Sequence, residues 1–403
     1  MGFVNDVVNV DIGHRFVDLC KWDGRSIEVE KAAVPAGLEP AAWIERMSPR
    51  AGFDLVVRTT RLPSGAAADI ASSSRVCGAR SCRVVPADCA ADPGAAAARH
   101  AADRNRLGKI CSVEIGAAEV RVGLIDRRGR CLSSKTIRIP DRASGSNARV
   151  DPLFVASAIG QVMNASGEGS LPSDTEAIPI VCFGGAGPAV ATMLADACNT
   201  RTVLIPVYAG TLACVGLLLA DIVLDLREEV EPRPLDLSRL RRQFAGMMDS
   251  AATAVTRQGY DIDDTVCSRF VELGIAGQVE AVEMEVESLS IADAILQRFS
   301  ESGLGDSGQT PEVRAIRVGA TIATSKPALP LPVLPSARRS VEQSSEDSLG
   351  AHMETRVDRR ELAAGSVAVG PATITERHTE TRVGSGWRAE VQPSGDILMG
   401  RES

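Results

Sequence analysis

Apolar and polar positions alternate strongly near the start of the chain. Val7-Val8-Asn9-Val10-Asp11-Ile12 reads as a strand, Gly13-His14 as a turn, and Phe16 to Cys20 as the returning strand. Asp23-Gly24 makes a second tight turn, and Ser26 to Ala33 supplies a third strand. Glu39 to Met47 suits a short helix with Pro40 in its first turn, and Phe53 to Thr59 another strand. Residues 62–105 are rich in Ala, Ser and Arg with weak periodicity, and a helix is expected from Ala95 to Leu107. Then the opening pattern returns. Ile110 to Ile115 is a strand, Gly116 a turn, Val120 to Asp126 a strand, Asp126 to Gly129 a hairpin turn, and Cys131 to Ile139 a strand. A strand–turn–strand–turn–strand unit therefore occurs twice, near residues 4–33 and 110–139, as an internal duplication.

Past a polar loop at Ser144 to Ala148, Pro152 to Met163 has helical spacing. The apolar run Ile178-Pro179-Ile180-Val181 then leads into Cys182-Phe183-Gly184-Gly185-Ala186-Gly187-Pro188, a buried strand ending in a glycine turn. Such turns let a backbone approach a phosphate or a flat ring, and they also pack helices against sheets. Gly187 to Ala197 reads as a helix, Val203 to Pro206 as a short strand, Leu212 to Asp221 as a buried helix and Glu228 to Pro234 as a charged connection. Leu237, Leu240, Phe244, Met247, Ala251 and Val255 recur at helical spacing, a core or interface stripe. The last third is β-rich. Phe270 to Leu273, Val279 to Val286 and Val313 to Ala323 are strand candidates, Lys326 to Asp347 a Pro/Ser-rich loop, and Gly370 to Ile374 and Trp387 to Val391 closing strands.

Composition narrows the function. The 403 residues suffice for two or three domains. A net charge of -8 and 3% aromatic content argue against nucleic acid as the main partner, since phosphate binding needs a basic face and base stacking needs aromatics. No apolar run reaches bilayer length, and Met1 to Asp6 shows no signal-peptide pattern. The ten cysteines are irregularly spaced, with Cys77, Cys82 and Cys89 the local cluster and no CxxC pair. They read as small buried hydrophobes of a cytoplasmic protein.

Taken together, Phe183-Gly-Gly-Ala-Gly-Pro188, Gly216-Leu-Leu-Leu-Ala-Asp221, Gly277-Gln278, Gly370-Pro-Ala and Gly386-Trp-Arg-Ala-Glu-Val391 resemble the A-type subunit of the hydantoinase/5-oxoprolinase family. That family includes N-methylhydantoinases, 5-oxoprolinases and acetone and acetophenone carboxylase subunits. The resemblance runs, with gaps, from Val10 to Leu398. It implies an α/β fold with an actin-like ATPase core of two ribonuclease-H-like halves, at 1–105 and 106–228, and a helix plus β-rich C-terminal domain at 229–403. It further implies ATP and Mg²⁺ in a cleft. Asp11, Gly13, Asp18, Gly116, Gly184, Gly185 and Gly187 would hold the nucleotide, and Asp11, Asp18 and Glu114 the metal. A B-type subunit or a second copy would be the partner.

The chain departs from that pattern where phosphate would sit. The first turn resembles Asp-x-Gly-Gly-Thr-x-Thr-Asp but reads Asp11-Ile12-Gly13-His14-Arg15-Phe16-Val17-Asp18, with the hydroxyls gone. Arg15 is either a replacement cation or a solvated turn residue. The second turn keeps Gly116 and an acid at Glu114, but places Glu119 where repulsion with phosphate is expected and Arg121 at the other acid position. The family's long insert between Pro140 and Pro179 is shortened, and Val190 replaces a histidine. His100, His352 and His378 lie outside these motifs. The expected function is an accessory or degenerate subunit of an ATP-dependent amidohydrolase or carboxylase. The alternative is an active cyclic-amide hydrolase or ketone carboxylase component working with a B-type partner.

Overall fold

A computed structural model describes residues 7–12, 16–23, 25–33, 53–59, 79–86, 93–139, 151–165, 178–234, 236–257, 261–263, 265–276, 281–286, 299, 311–323, 329, 331–341 and 355–402. The expected helix at Glu39 to Met47, Gly13, Gly277, Gln278, Cys77 and Cys89 lie outside these residues.

The first sheet holds β1 (Val7–Ile12), β2 (Phe16–Trp22), β3 (Ile27–Ala33), β4 (Phe53–Thr59) and β5 (Ala79–Pro86), in the order β3-β2-β1-β4-β5. β1 to β3 form an antiparallel meander, whereas β4 pairs parallel with β1 and β5 parallel with β4. After helix α1 (Pro93–Arg104), the second half repeats the plan with β6 (Ile110–Ile115), β7 (Glu119–Ile125), β8 (Cys131–Arg138), β9 (Ile180–Phe183) and β10 (Thr202–Ile205). Its order is β8-β7-β6-β9-β10, the same sequence of positions. Helix α2 (Pro152–Ala165) intervenes between β8 and β9, and α3 (Gly187–Ala197) between β9 and β10. The duplication read from the two hairpin units thus extends to whole five-stranded sheets. The outer meander strands β3 and β8 alternate between covered and exposed positions, while β6, β7 and β9 are almost wholly buried because the sheet is covered on both sides there.

After β10 come a short helix α4 (Leu212–Gly216) and β11 (Ile222–Pro234). The buried segment expected as one helix to Asp221 leaves helical geometry at Gly216. It continues in i→i+3 turns, Leu218 N–H donating to Val215 O at 3.0 Å and Leu219 N–H to Gly216 O at 2.9 Å. The charged stretch Glu228 to Pro234, expected as a connection, is the second part of β11. Charge is compatible with a strand here because β11 is an edge of its sheet and Glu228 and Glu229 face solvent. A register shift between Glu229 and Arg233 admits Pro232. With α5 (Leu237–Arg257), β12 (Thr265–Gly274), β13 (Ala281–Glu285) and β14 (Glu312–Ile322), it builds a four-stranded sheet with its own core, where Leu240, Phe244, Met247, Ala251 and Val255 pack on Val271, Ile316 and Val318.

The remaining strands are β15 (Ser340–Val341), β16 (Thr355–Asp358), β17 (Val367–Val369), β18 (Ala372–Thr375), β19 (Glu380–Val383), β20 (Trp387–Val391) and β21 (Ile397–Arg401). β16, β18 and β19 form a small sheet. β21, β20, β17 and β15 extend the second half beyond β10 into one nine-stranded sheet. That sheet takes strands from both sides of residue 228. Trp387 is completely buried in its core, and its indole N–H donates to Asp196 at 3.2 Å.

Candidate functional site

A cavity of about 480 Å³ lies between the two halves. The first half contributes Asp11, Asp18 and Lys31, the second Glu114, Gly116, Ala117 and Phe183 to Ala186, and the turn before α4 together with the start of α4 adds Gly210 to Ala213. Strand register explains the first group. Asp11 lies directly opposite Asp18 across β1 and β2, and Asp18 lies opposite Lys31 across β2 and β3, so all three share one face. Lys31 Nζ is 3.2 Å from an Asp18 carboxylate oxygen and donates to Gly210 O at 2.7 Å, joining the two halves. Burial pushes the Asp18 carboxyl up to about 7. The Lys31 ammonium works against this, while Asp11 and Glu114 add to it.

The second hairpin repeats the register with different charges. Glu114 lies opposite Arg121 across β6 and β7, and Glu119 precedes Arg121 by two residues on the same strand face. The buried Arg121 guanidinium meets Glu114 Oε2 at 3.2 Å and also pairs with Glu119. Glu119 is therefore held by an internal cation and is not among the cavity-lining residues, so the expected clash with phosphate does not arise there. Arg121 stands where the resemblance implies an acid, and it neutralises Glu114 and Glu119.

The glycine turn divides into three roles. Gly184 has φ +89°, and a Cβ on it would lie 2.4 Å from Ile115 O, so the turn is pressed against the end of β6. Its N–H donates to Ala209 O at 2.9 Å. A Cβ on Gly185 would meet nothing within 4 Å and would enter the cavity. Gly187 is buried and does not line the cavity; a Cβ there would sit 3.1 Å from Cys182 Sγ, so it sets the approach of α3 to the sheet. The turn is fastened from outside by Thr379 Oγ1, which donates to Gly185 O at 3.2 Å.

Thr379 belongs to a wall that the motifs did not reveal. The turn between β18 and β19 brings Arg377 and His378 into the cavity lining. His378, read from sequence as lying outside any motif, is thus a cleft residue. It packs so closely on the α4 turn that a Cβ on Gly210 would lie 2.9 Å from His378 Cβ. Burial, with Lys31 and Arg377 adding to it, holds its imidazole below the usual value. Lys31 was missed as well, because its lysine is ordinary until register sets it on Asp18.

A nucleotide fits this cavity in size and in the open side of Gly185. A carboxylate cage for metal fits poorly: Lys31 is seated on Asp18 and Arg121 on Glu114. Among the described residues no group of three or more His, Cys, Asp or Glu side chains is placed to hold a metal ion.

Residues 152–226, which carry the glycine turn and α4, match the hydantoinase/oxoprolinase family profile. Over that segment the chain is similar to hydantoinases and oxoprolinases. It is 22% identical over 243 residues to the caprolactamase subunit alpha of Pseudomonas jessenii, an alignment covering 55% of this chain and 35% of the relative. To 5-oxoprolinase 1 of Arabidopsis thaliana it is 24% identical over 239 residues, covering 56% of this chain and 19% of that protein. The chain thus matches about a third or less of these relatives' length. The crystal structure of the ATP-dependent caprolactamase from Pseudomonas jessenii superimposes with a TM-score of 0.53 at 16% identity, over 77% of this chain and 61% of that one. The fold is α/β, with two halves that share one strand order and further β structure, in keeping with the actin-like core expected from the sequence. No helix among the described residues is long and apolar enough to cross a membrane.

Proposed function

We propose that this chain is an accessory A-type subunit of a multi-subunit ATP-dependent amidohydrolase or carboxylase, one that keeps a nucleotide cleft but has impaired phosphate chemistry. The observation that carries this is the seating of Lys31 on Asp18 and of Arg121 on Glu114, which ties up the carboxylates a metal would need. Mg²⁺ ordinarily uses one or two protein carboxylates beside phosphate oxygens. When bound, ATP would supply phosphoryl activation of an amide or ketone oxygen. This chain's residues would do the positioning. The open face of Gly185 and Gly184 would border the nucleoside, with Gly116 and the turn at Gly13 nearer the phosphates. Residues 1–105 and 106–228 are read as the two halves and 229–403 as the C-terminal domain of the family pattern, whose last strands join the sheet of the second half. The partner is read as a B-type subunit, with a second copy of the chain as the other possibility, and the compartment as the cytoplasm, consistent with thiols such as Cys111 and Cys182 that burial makes inert.

Calorimetric titration of the chain with ADP and ATP, with Mg²⁺ or with EDTA, tests this. The expected result is nucleotide binding that EDTA barely changes, with no phosphate release. Absence of any nucleotide binding would overturn the cleft assignment. The second reading is an active component, in which Asp11, Asp18 and Glu114 hold Mg²⁺ after Lys31 and Arg121 move aside. It is favoured if a B-type partner restores Mg²⁺-dependent turnover that Asp11→Asn abolishes.

A further inference from the structure

The turn between β18 and β19 has no place in the phosphate motifs, yet it forms one wall of the cavity. It is also held firmly. The buried Arg359 pairs with Glu376 and donates to Gly395 O at 2.6 Å, Glu376 N–H donates to Thr379 O at 2.9 Å, and Thr379 bonds Gly185 O. His378 packs on Gly210 from the cavity side. A turn anchored at both ends presents its two middle side chains in a fixed place.

Those two side chains lack partners. Arg377 is exposed at the cavity edge, and no hydrogen bond or ion pair engages its guanidinium among the described residues. His378 Nε2 is buried and has no hydrogen-bond partner among them. An orphaned buried ring nitrogen costs free energy unless a bound molecule satisfies it. Lys31 lies close enough to influence the His378 ring, so three nitrogen-bearing side chains gather on one side of the cavity, and the acids Asp11, Asp18 and Glu114 line it as well. Lys31 is already committed to Asp18, and Arg121 to Glu114 and Glu119. Among the described residues that line the cavity, Arg377 is the cation without an ion-pair partner.

We propose that Arg377 and His378 form an oxyanion-binding corner of the cleft, supplied by the C-terminal part of the chain in place of the hydroxyls that the two hairpin turns lack. Arg377 receives a phosphate of the bound nucleotide through charge-assisted N–H···O bonds, and His378 Nε2 completes its hydrogen bonding on the same ligand. The corner rests on reading the cleft as a nucleotide site. It assigns the binding charge to a segment nearly two hundred residues from the glycine turn, so the phosphate end of the site and the nucleoside end come from different parts of the chain.

Calorimetry on the full chain with ADP, adenosine and inorganic tripolyphosphate tests it, using wild type, Arg377→Ala, Arg377→Lys and His378→Gln. His378→Gln keeps a Cβ against Gly210, and thermal unfolding of each variant checks the fold. The expected result is that Arg377→Ala weakens ADP at least about tenfold with adenosine unchanged, that Arg377→Lys recovers part of the loss, and that His378→Gln weakens ADP by a smaller factor. ADP binding to wild type that Arg377→Ala leaves intact would overturn the corner while the nucleotide cleft stands. Tripolyphosphate binding that depends on Arg377, with no binding of ADP or adenosine, would keep the corner and overturn the nucleotide reading. No binding of any of the three to wild type would overturn both.

Discussion

A methyl group at Gly184 would strike Ile115 O in a backbone conformation that L side chains rarely adopt, whereas at Gly185 it would project into the cavity. Gly184→Ala is therefore expected to destabilise the chain by about 3 kcal/mol, from left-handed strain plus overpacking. Gly185→Ala should leave stability within about 0.5 kcal/mol and reduce nucleotide affinity. Urea unfolding and calorimetry on the two variants separate the effects. Asp18 gives a pH signature. Its folded-state value near 7 lies above its ordinary 3.8, so proton binding favours the folded state. That contribution is complete below about pH 4 and disappears as pH rises to 7. Asp18→Asn should flatten this part of the stability profile, read as urea midpoints from pH 4 to 8. At this scale local motifs picked out Asp11, Asp18, Glu114, Gly116, Gly184 and Gly185, which line the cavity, and also Gly187, which does not. They did not reveal Lys31, Arg377 or His378. Each gains its role from a register or a contact that only the folded chain defines.

Among the elements, the junction of α1, the end of β10 and the β20–β21 turn depends on one carboxylate. Asp396 is completely buried and accepts from Arg104 Nη2 at 2.9 Å, Asn105 Nδ2 at 2.8 Å, Val207 N–H at 2.9 Å and Ser394 Oγ at 2.6 Å. Removing it leaves the Arg104 charge and several donors without their acceptor. Asp396→Ala should cost about 3–5 kcal/mol, measured by chemical denaturation. Patterning served the elements unevenly. The paired hairpins and α5 follow two clear periods, 2.0 and 3.6, and stand where the sequence puts them. β5 escaped detection because it lies in an Ala- and Arg-rich stretch and takes its pairing from β4 at the sheet edge. The second part of β11 escaped because solvent-facing charge on an edge strand looks like a loop.

For the whole molecule, the C-terminal strands are structural members of the second half. β21 pairs antiparallel with β10 along Thr202 to Ile205, and β20 carries the buried Trp387 behind it. A chain cut after residue 228 would leave the β10 edge unpaired and strip apolar cover from Val203 to Ile205. That truncation should aggregate, seen as void-volume elution in size-exclusion chromatography, although it retains both glycine motifs. The duplicated halves were legible because each begins with the same three-strand pattern. Their joint sheet with the C-terminal strands was not, since pairing across almost two hundred residues leaves no local period.

The ion clusters of the two hairpins constrain how such a cleft can change over generations. One holds acids at 11 and 18 with a cation at 31; the other holds acids at 114 and 119 with a cation at 121. Converting Arg121 alone to an acid would crowd three carboxylates together on β6 and β7, and losing Lys31 alone would leave Asp18 facing Asp11 uncompensated. Turning either cluster into a metal site built of carboxylates therefore requires paired substitutions, with a less stable intermediate between them. The lysine and the arginine thus fix the charge pattern of each hairpin as well as its geometry.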